Sequence, residues 1–258
     1  MTLRRFEGKR ILITGGAGGI GGQIARQFAE QGGRVGILDS NGSAIESIVS
    51  EIVTSGAVAT GEQVDVRDQI AVEQATNKIA NTLGGIDVLV TAAGGSLGTP
   101  RNLEEISSAD LDLVLDVNIK GTFNCAKSVI PFMKNAGGGS IITFSSIGGR
   151  SASPVTGVPY AAAKAAILGL TRRLAKEVGE FNIRVNAIAP GLFLTDRLEG
   201  MFNQMSAAER SEVLTAIPLG RMPTLKECAD PVLFLASEES SYITGIVLDV
   251  NGGRLMPN

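Results

Sequence analysis

Ile11-Leu12-Ile13-Thr14-Gly15-Gly16-Ala17-Gly18-Gly19-Ile20-Gly21 runs from a short apolar strand through a glycine-rich turn into a helical pattern that begins near Ile20. Glycine lets the backbone turn tightly and approach another group closely. The helix that follows presents unpaired N–H groups and the positive end of its dipole, which suit phosphate. No Gly-Lys-Ser/Thr follows, so the loop is not of the Walker type. Its place after the first strand points to a dinucleotide pyrophosphate, with Gly15, Gly18, Gly19, Ile20 and Gly21 as the contacts. A glycine turn that merely packs a helix on a sheet is the plainer alternative.

The pattern set by that first unit repeats along the chain. Strand-like runs fall at Arg10–Thr14, Arg34–Asp39, Ala59–Val64, Val88–Thr91, Ser140–Phe144, Arg184–Ala189 and Ile246–Val250. Helical patterns lie between them at about Ile20–Gln31, Ala44–Ser55, Asp68–Leu83, Ala109–Lys134, Tyr160–Glu180 and Leu225–Ala236. Ser107 with Asp110, Ser206 with Glu209 and Thr224 with Glu227 have capping-box spacing. Alternation of this kind predicts one α/β domain over residues 1–258, a doubly wound Rossmann fold. Its parallel seven-stranded sheet would carry helices on both faces.

Asp39 ends the second strand within about 20 residues of the last cradle glycine, where an acid accepts hydrogen bonds from adenosine ribose hydroxyls. It would repel a 2′-phosphate. No Lys or Arg stands in the glycine loop or just after Asp39, so NAD is expected over NADP. Asp39-Ser40-Asn41-Gly42 also reads as an ordinary turn. Asp65, with Val66 beside it, ends the third strand and is placed to face the adenine; turn formation explains it nearly as well.

Composition narrows the chemistry. The 258 residues are 44% apolar and 4% aromatic, with no Trp, so aliphatic and alanine packing fills the core. A formal charge of −3 speaks against a nucleic-acid surface. No apolar run approaches the ~20 residues of a membrane span. The first ten residues are polar and charged, unlike a secretory signal. Two cysteines are too few for a disulfide framework, and a cytoplasmic setting is expected. There is no histidine. That removes Ser-His and Cys-His nucleophiles and any histidine metal site from the chain, so no metal is expected.

Tyr160 and Lys164 stand one helical turn apart in Tyr160-Ala161-Ala162-Ala163-Lys164. An ammonium beside a phenol stabilises the phenolate. Lowering the phenol from ~10 by roughly 3 units takes about 4 kcal/mol and gives a base for neutral pH. Taken alone, such a pair is more often incidental.

With cradle, Asp39 and Tyr/Lys pair together, the chain resembles the short-chain dehydrogenase/reductase family nearly end to end, in its compact branch of about 250 residues. Thr14 to Gly21 fits TGxxxGxG, and Tyr160 to Lys164 fits YxxxK. Ser146 fits the substrate-orienting serine and Asn118 the asparagine of a proton relay. Ala92 and Gly94 form a small-residue floor under the adenosine. Pro190-Gly191, with Phe193 and Thr195, fits the segment that contacts the nicotinamide. Tyr242-Ile243-Thr244-Gly245 and Asn251-Gly252-Gly253 resemble the closing strand region. Thr91-Ala92-Ala93-Gly94 departs from the usual Asn-Asn-Ala-Gly, and Thr91 is the candidate replacement for the missing asparagine. The Ser146-to-Tyr160 spacing is one residue longer than the commonest version, which makes Ser145 a weaker candidate than Ser146.

The resemblance implies hydride transfer between a small-molecule secondary alcohol and NAD. The substrate classes it suggests are cyclic alcohols or diols, sugars and hydroxysteroids. Tyr160 would be the base, Lys164 would tune it and hold the nicotinamide ribose, Ser146 would orient the substrate, and Asn118 would hold a water. A 3-oxoacyl thioester reductase and a non-catalytic nucleotide sensor are the competing readings. Residues 192–216 read either as a substrate lid or as residues that anchor a surface helix. Arg150 is either an anion contact or a solvated side chain. Helix Tyr160–Glu180 is apolar or small on most sides through Leu170, and the helix bearing Asn118 is apolar too. Both fit a homo-oligomer, a tetramer by resemblance.

Overall fold

The computed structural model describes residues 4–152, 156–194 and 196–256. The strands are β1 (Arg10–Thr14), β2 (Arg34–Asp39), β3 (Val58–Gln63), β4 (Val88–Thr91), β5 (Gly139–Phe144), β6 (Ile183–Pro190) and β7 (Val247–Val250). They form one sheet in the order β3-β2-β1-β4-β5-β6-β7, every pair parallel. The order reverses direction between β1 and β4. That places a crevice beyond their carboxyl ends, where such sheets bind ligands.

Strand composition follows from burial on two sides. Ile11, Leu12 and Ile13 of β1 are all fully buried, which is why the strand is continuously apolar rather than alternating. Ile11 and Ile13 face a core shared with α1 (Gly19–Glu30), α2 (Gly42–Thr54) and α9 (Leu225–Ala236). Leu12 faces the opposite core, shared with α3 (Gln69–Leu83), α5 (Gly121–Asn135) and α6 (Val158–Val178). The edge strands β3 and β7 are only partly covered.

Helix starts follow their caps. Asn41 Oδ1 accepts from Ala44 N at 3.1 Å to start α2, and Asp68 Oδ1 accepts from Ala71 N at 3.0 Å to start α3. All three expected capping boxes form. They open α4 (Ser108–Leu115), α8 (Ala207–Thr215) and α9. Among the described residues no helix is long and apolar enough to cross a membrane.

Three features add detail to the expected elements. The helix expected over Ala109–Lys134 is α4 and α5 joined by a π turn, Asp116–Lys120. The 192–216 segment contains two helices, α7 (Asp196–Gln204) and α8. In the single chain α6 buries only one face, through Ala163, Lys164, Ile167 and Thr171, and leaves Ala162, Ala165, Ala166 and Gly169 exposed.

Candidate active site

The glycines of the cradle serve different needs. Gly15 adopts φ +64°, and a Cβ there would lie 2.7 Å from Ala93 N. A Cβ on Gly21 would collide with the Gly15 carbonyl. Packing of the protein against itself therefore requires both. Gly18 is different. Its φ of −165° suits any residue, and no protein atom lies within 4 Å of where its Cβ would be. It is the N-cap of α1 and makes no side-chain cap. The first N–H groups of α1 thus stay free under a cleared space, which fits the diphosphate of a dinucleotide. Gly19 opens α1 at φ +53°, and Ile20 packs partly buried against the core below.

Asp39 braces this turn. Its Oδ2 accepts from Ala17 N at 3.1 Å and its Oδ1 from Asn41 N at 3.1 Å. A carboxylate offers about four acceptor positions, so capacity for ribose hydroxyls remains. Asp65 lies otherwise. Arg67 Nη2 donates to its Oδ2 at 2.6 Å, Arg67 Nε reaches both oxygens, and Arg67 N donates to Oδ1 at 2.9 Å. Arg67 also holds the Asp65 carboxyl below its ordinary range. The residue expected to face the adenine thus also pairs with an arginine that sequence reading overlooked, although the Asp-x-Arg spacing was visible in Asp65-Val66-Arg67. Val66 is buried, and its carbonyl accepts from Asn124 Nδ2 at 2.9 Å.

The floor at Ala92 to Gly94 is tied down from β1. Ala92 N donates to Thr14 O at 3.1 Å and Ala93 N to Thr14 Oγ1 at 3.2 Å. Thr91 does not replace the missing asparagine: its hydroxyl is buried without a hydrogen-bond partner. Gly94 has φ +145°, and a Cβ on it would collide with Asn118 Oδ1 and stand 3.4 Å from Lys164 Nζ.

Asn118 sits fully buried in the π turn. Its Oδ1 accepts from Gly95 N at 3.0 Å, and its Nδ2 donates to Gly95 O at 2.9 Å and Val114 O at 2.8 Å. The side chain is a clamp on the Gly94–Gly95 loop and has no donor left for a water. A water at Asn118 would use its main-chain carbonyl, which also accepts from Thr122 Oγ1 at 2.8 Å. The π turn explains why the helix bears a polar residue here: it frees main-chain groups that the amide then meets.

Neighbouring serines separate into two roles. Ser145 Oγ donates to Lys164 O at 2.7 Å and is buried. Ser146 Oγ accepts from Gly148 N at 3.1 Å and lies beside the Tyr160 phenol. Tyr160 lies in the first turn of α6, where Pro159 occupies a position that needs no N–H. Lys164 Nζ donates to Phe144 O at 2.9 Å and lies 5.6 Å from the Tyr160 ring centre. Burial pushes the lysine down to about 8. Burial pushes the Tyr160 phenol up, and Ser146 opposes that shift. Burial thus outweighs Ser146 at the Tyr160 phenol, and helical spacing alone does not aim the Lys164 ammonium at its hydroxyl. The ammonium is directed instead at the Phe144 carbonyl.

At the ends of β6 and β7, Gly191 N donates to Val250 O at 2.9 Å, and a Cβ on Gly191 would lie 2.9 Å from that of Asn251. This pins Pro190-Gly191 onto β7. Phe193 is 3% exposed and belongs to the core on the α1 face. Thr195 lies outside the described residues. Arg150 is neither open to an anion nor solvated; it lies mostly buried beside Asp249. A cavity of about 290 Å³ next to this segment is walled by Leu192, Phe193, Ile217, Leu219 and Val250, with Asp249 among its polar contributors.

Cradle, crevice and the Ser146/Tyr160/Lys164 cluster together define a dinucleotide-binding oxidoreductase scaffold. A family model described as enoyl-(acyl carrier protein) reductase matches residues 15–254. The 3-oxoacyl-(acyl-carrier-protein) reductase FabG of Thermotoga maritima is 38% identical over 252 residues, covering 98% of this chain and 100% of that protein. The 2-dehydro-3-deoxy-L-rhamnonate dehydrogenase (NAD(+)) of a Sphingomonas species is 34% identical over 250 residues, 97% of this chain and 96% of that one. A crystal structure of a 3-oxoacyl-(acyl-carrier protein) reductase with bound NAD from Brucella melitensis superposes with a TM-score of 0.89 at 36% identity. It covers 99% of this chain and 94% of that one. The chain belongs to the short-chain dehydrogenase/reductase family of oxidoreductases, whose fold binds a nicotinamide nucleotide.

Proposed function

We propose that the protein is an NAD-dependent dehydrogenase that moves a hydride between a secondary alcohol and the nicotinamide. The observation that carries this reading is the half-buried Tyr160 beside Ser146, its ring centre 5.6 Å from the buried Lys164 ammonium one helical turn on. Gly15, Gly18, Gly19, Ile20 and Gly21 hold the diphosphate, Asp39 the adenosine ribose, and Val66, Ala92 and Gly94 the adenosine walls. Pro190, Gly191 and Phe193 back the nicotinamide end. NAD, when bound, supplies the hydride acceptor and a positive ring.

Tyr160 takes the alcohol proton in oxidation and returns it in reduction. Ser146 holds the substrate oxygen against that phenol. Lys164 supplies positive charge to the phenolate and hydrogen bonds to the nicotinamide ribose. Asn118 fixes the loop on which Gly94 approaches Lys164. Asp39 supports NAD over NADP, because its carboxylate repels a 2′-phosphate and the cradle has no Lys or Arg to counter it.

Residues 192–216, with α7 and α8, serve as the substrate lid, and Leu192 and Phe193 at its start wall the cavity. The exposed alanines of α6, with Leu111 on α4 and Phe123 on α5 also exposed, support a homotetramer built on these helices. Two free buried cysteines suit the cytoplasm.

The FabG relatives support a second reading, reduction of a 3-oxoacyl thioester. Following nicotinamide absorbance with an alcohol panel and NAD, then 3-oxoacyl thioesters and NADPH, separates the two. Oxidation of alcohols with NAD is expected. A strong preference for NADPH and thioesters would overturn it, and dinucleotide binding without turnover would point to a sensor.

A further inference from the structure

Arg150 is the sole charged side chain between Ser146 and Tyr160. The turn Ile147–Gly149 after Ser146 rests on α6, where a Cβ on Gly149 would lie 2.7 Å from Ala165 N. Beyond that turn, the hydrogen bonds of the described residues stay local. Arg150 N, Ser151 N and Ser151 Oγ all donate to Ile147 O, and Gly157 O accepts from Ala161 N.

The Arg150 side chain is the exception. Its Nε stands 3.2 Å from Asp249 Oδ1, with the two side chains 19% and 20% exposed. Both atoms are sealed from solvent, and neither has an aligned hydrogen bond. Charge, not a directed bond, holds the contact. Burial pushes the Asp249 carboxyl up and Arg150 opposes that shift. Asp249 is in register with Ala189, immediately before Pro190, while Ser145 N donates to Ile188 O at 2.8 Å on the other side of β6. Arg150 therefore reaches from the Ser146 segment over the end of β6 to β7.

We propose that the Arg150–Asp249 pair is a strap that positions the Ser146-to-Tyr160 segment for proton transfer, making Arg150 a positioning residue rather than a substrate anchor. The kinetic half of this inference rests on the dehydrogenase reading; the structural half does not. Asp249 already neutralises Arg150, which removes the charge an anionic substrate would seek. Deleting one partner leaves an uncompensated buried charge, whereas deleting both does not.

The test compares Arg150→Met, Asp249→Asn, the double variant and Arg150→Lys. Amide hydrogen exchange over Ile147–Ser151 should rise about tenfold in Arg150→Met and in the double variant, with α1 unchanged. With any alcohol the native protein oxidises, kcat should fall about tenfold, a part of what a 1 Å misplacement costs, while NAD affinity holds within about twofold. Arg150→Lys should recover most of both. Unchanged exchange in the charge-balanced double variant would remove the strap. Raised exchange with native kcat would remove its positioning role. Absent turnover in the native protein would defeat the dehydrogenase reading alone, and exchange would still decide the strap.

Discussion

The glycine turn after β1 and the Ser146–Lys164 stretch after β5 rise from the same edge of one sheet, yet different forces hold them. The turn is held chiefly by main chain against main chain, Gly15 against Ala93 and Gly21 against Gly15, with the Asp39 carboxylate bracing the Ala17 amide. The second stretch is held by buried polar side chains, with Ser145 on the Lys164 carbonyl, Lys164 on the Phe144 carbonyl and Asn118 on Gly95. Steric fit is insensitive to pH and tolerates no added atom. Buried polar contacts tolerate shape changes better but respond to charge. The region that would hold a dinucleotide is thus rigid by geometry, and the region that would move a proton is tunable by electrostatics.

The sharpest way to separate the two is Tyr160→Phe, which removes one hydroxyl from the second region alone. Turnover should fall by about 10²–10⁴, while dinucleotide affinity by fluorescence titration stays within about twofold of native. A parallel loss of affinity would show that the two regions act as one.

A pair of glycine substitutions tests the first region. Gly18→Ala meets no protein atom within 4 Å, so the melting temperature of the free protein should hold while dinucleotide affinity drops roughly 10-fold or more. Gly21→Ala forces the turn itself apart, and the melting temperature should fall by an amount matching about 2 kcal/mol or more. Equal loss of stability in both variants would abolish the distinction between them.

Lys164 gives a smaller, pH-dependent effect. Its folded value of about 8 lies below its ordinary 10.5. Below pH 8 the folded and unfolded states both carry the charge, and the folded state bears the whole burial penalty. As pH rises through 8 the folded lysine sheds its proton while the unfolded one keeps it, so stability rises toward 10.5. The full span is at most about 3 kcal/mol. Urea midpoints of the dinucleotide-free protein should increase from pH 8 to 9.5 relative to Lys164→Met. A parallel pair of curves would mean that the lysine titrates in water.

The smallest effect concerns the boundary between the regions. Thr91→Val replaces a buried, unpartnered hydroxyl with a methyl of similar shape and should stabilise by about 0.5–1 kcal/mol in thermal unfolding. Destabilisation would reveal an acceptor for that hydroxyl.

Much of this was legible in the chain. Four strands begin or end where apolar runs meet Gly, Asp or Thr, and β1, β2 and β4 match at both ends. The three capping boxes were readable because each depends on residues three apart. The π turn was not, since it is favoured by the main-chain groups that the Asn118 amide meets across the Gly95 loop, far along the chain. Asp39 and Asp65 looked alike as strand-end acids. Only the fold distinguishes them: Asp39 lies against the Ala17 amide, and Asp65 lies under Arg67. The same holds for Ser145 and Ser146, whose adjacent hydroxyls point to opposite partners.

By itself the sequence determined the strand–turn–helix rhythm, the dinucleotide cradle and the one-turn spacing of Tyr160 and Lys164, because local periodicity and backbone chemistry are written within a few residues. The tertiary structure decided what each polar group spends its hydrogen bonds on. It directed Lys164 at Phe144, left Thr91 without a partner and carried Arg150 to Asp249. Those outcomes depend on desolvation and on partners distant along the chain, which no local pattern encodes.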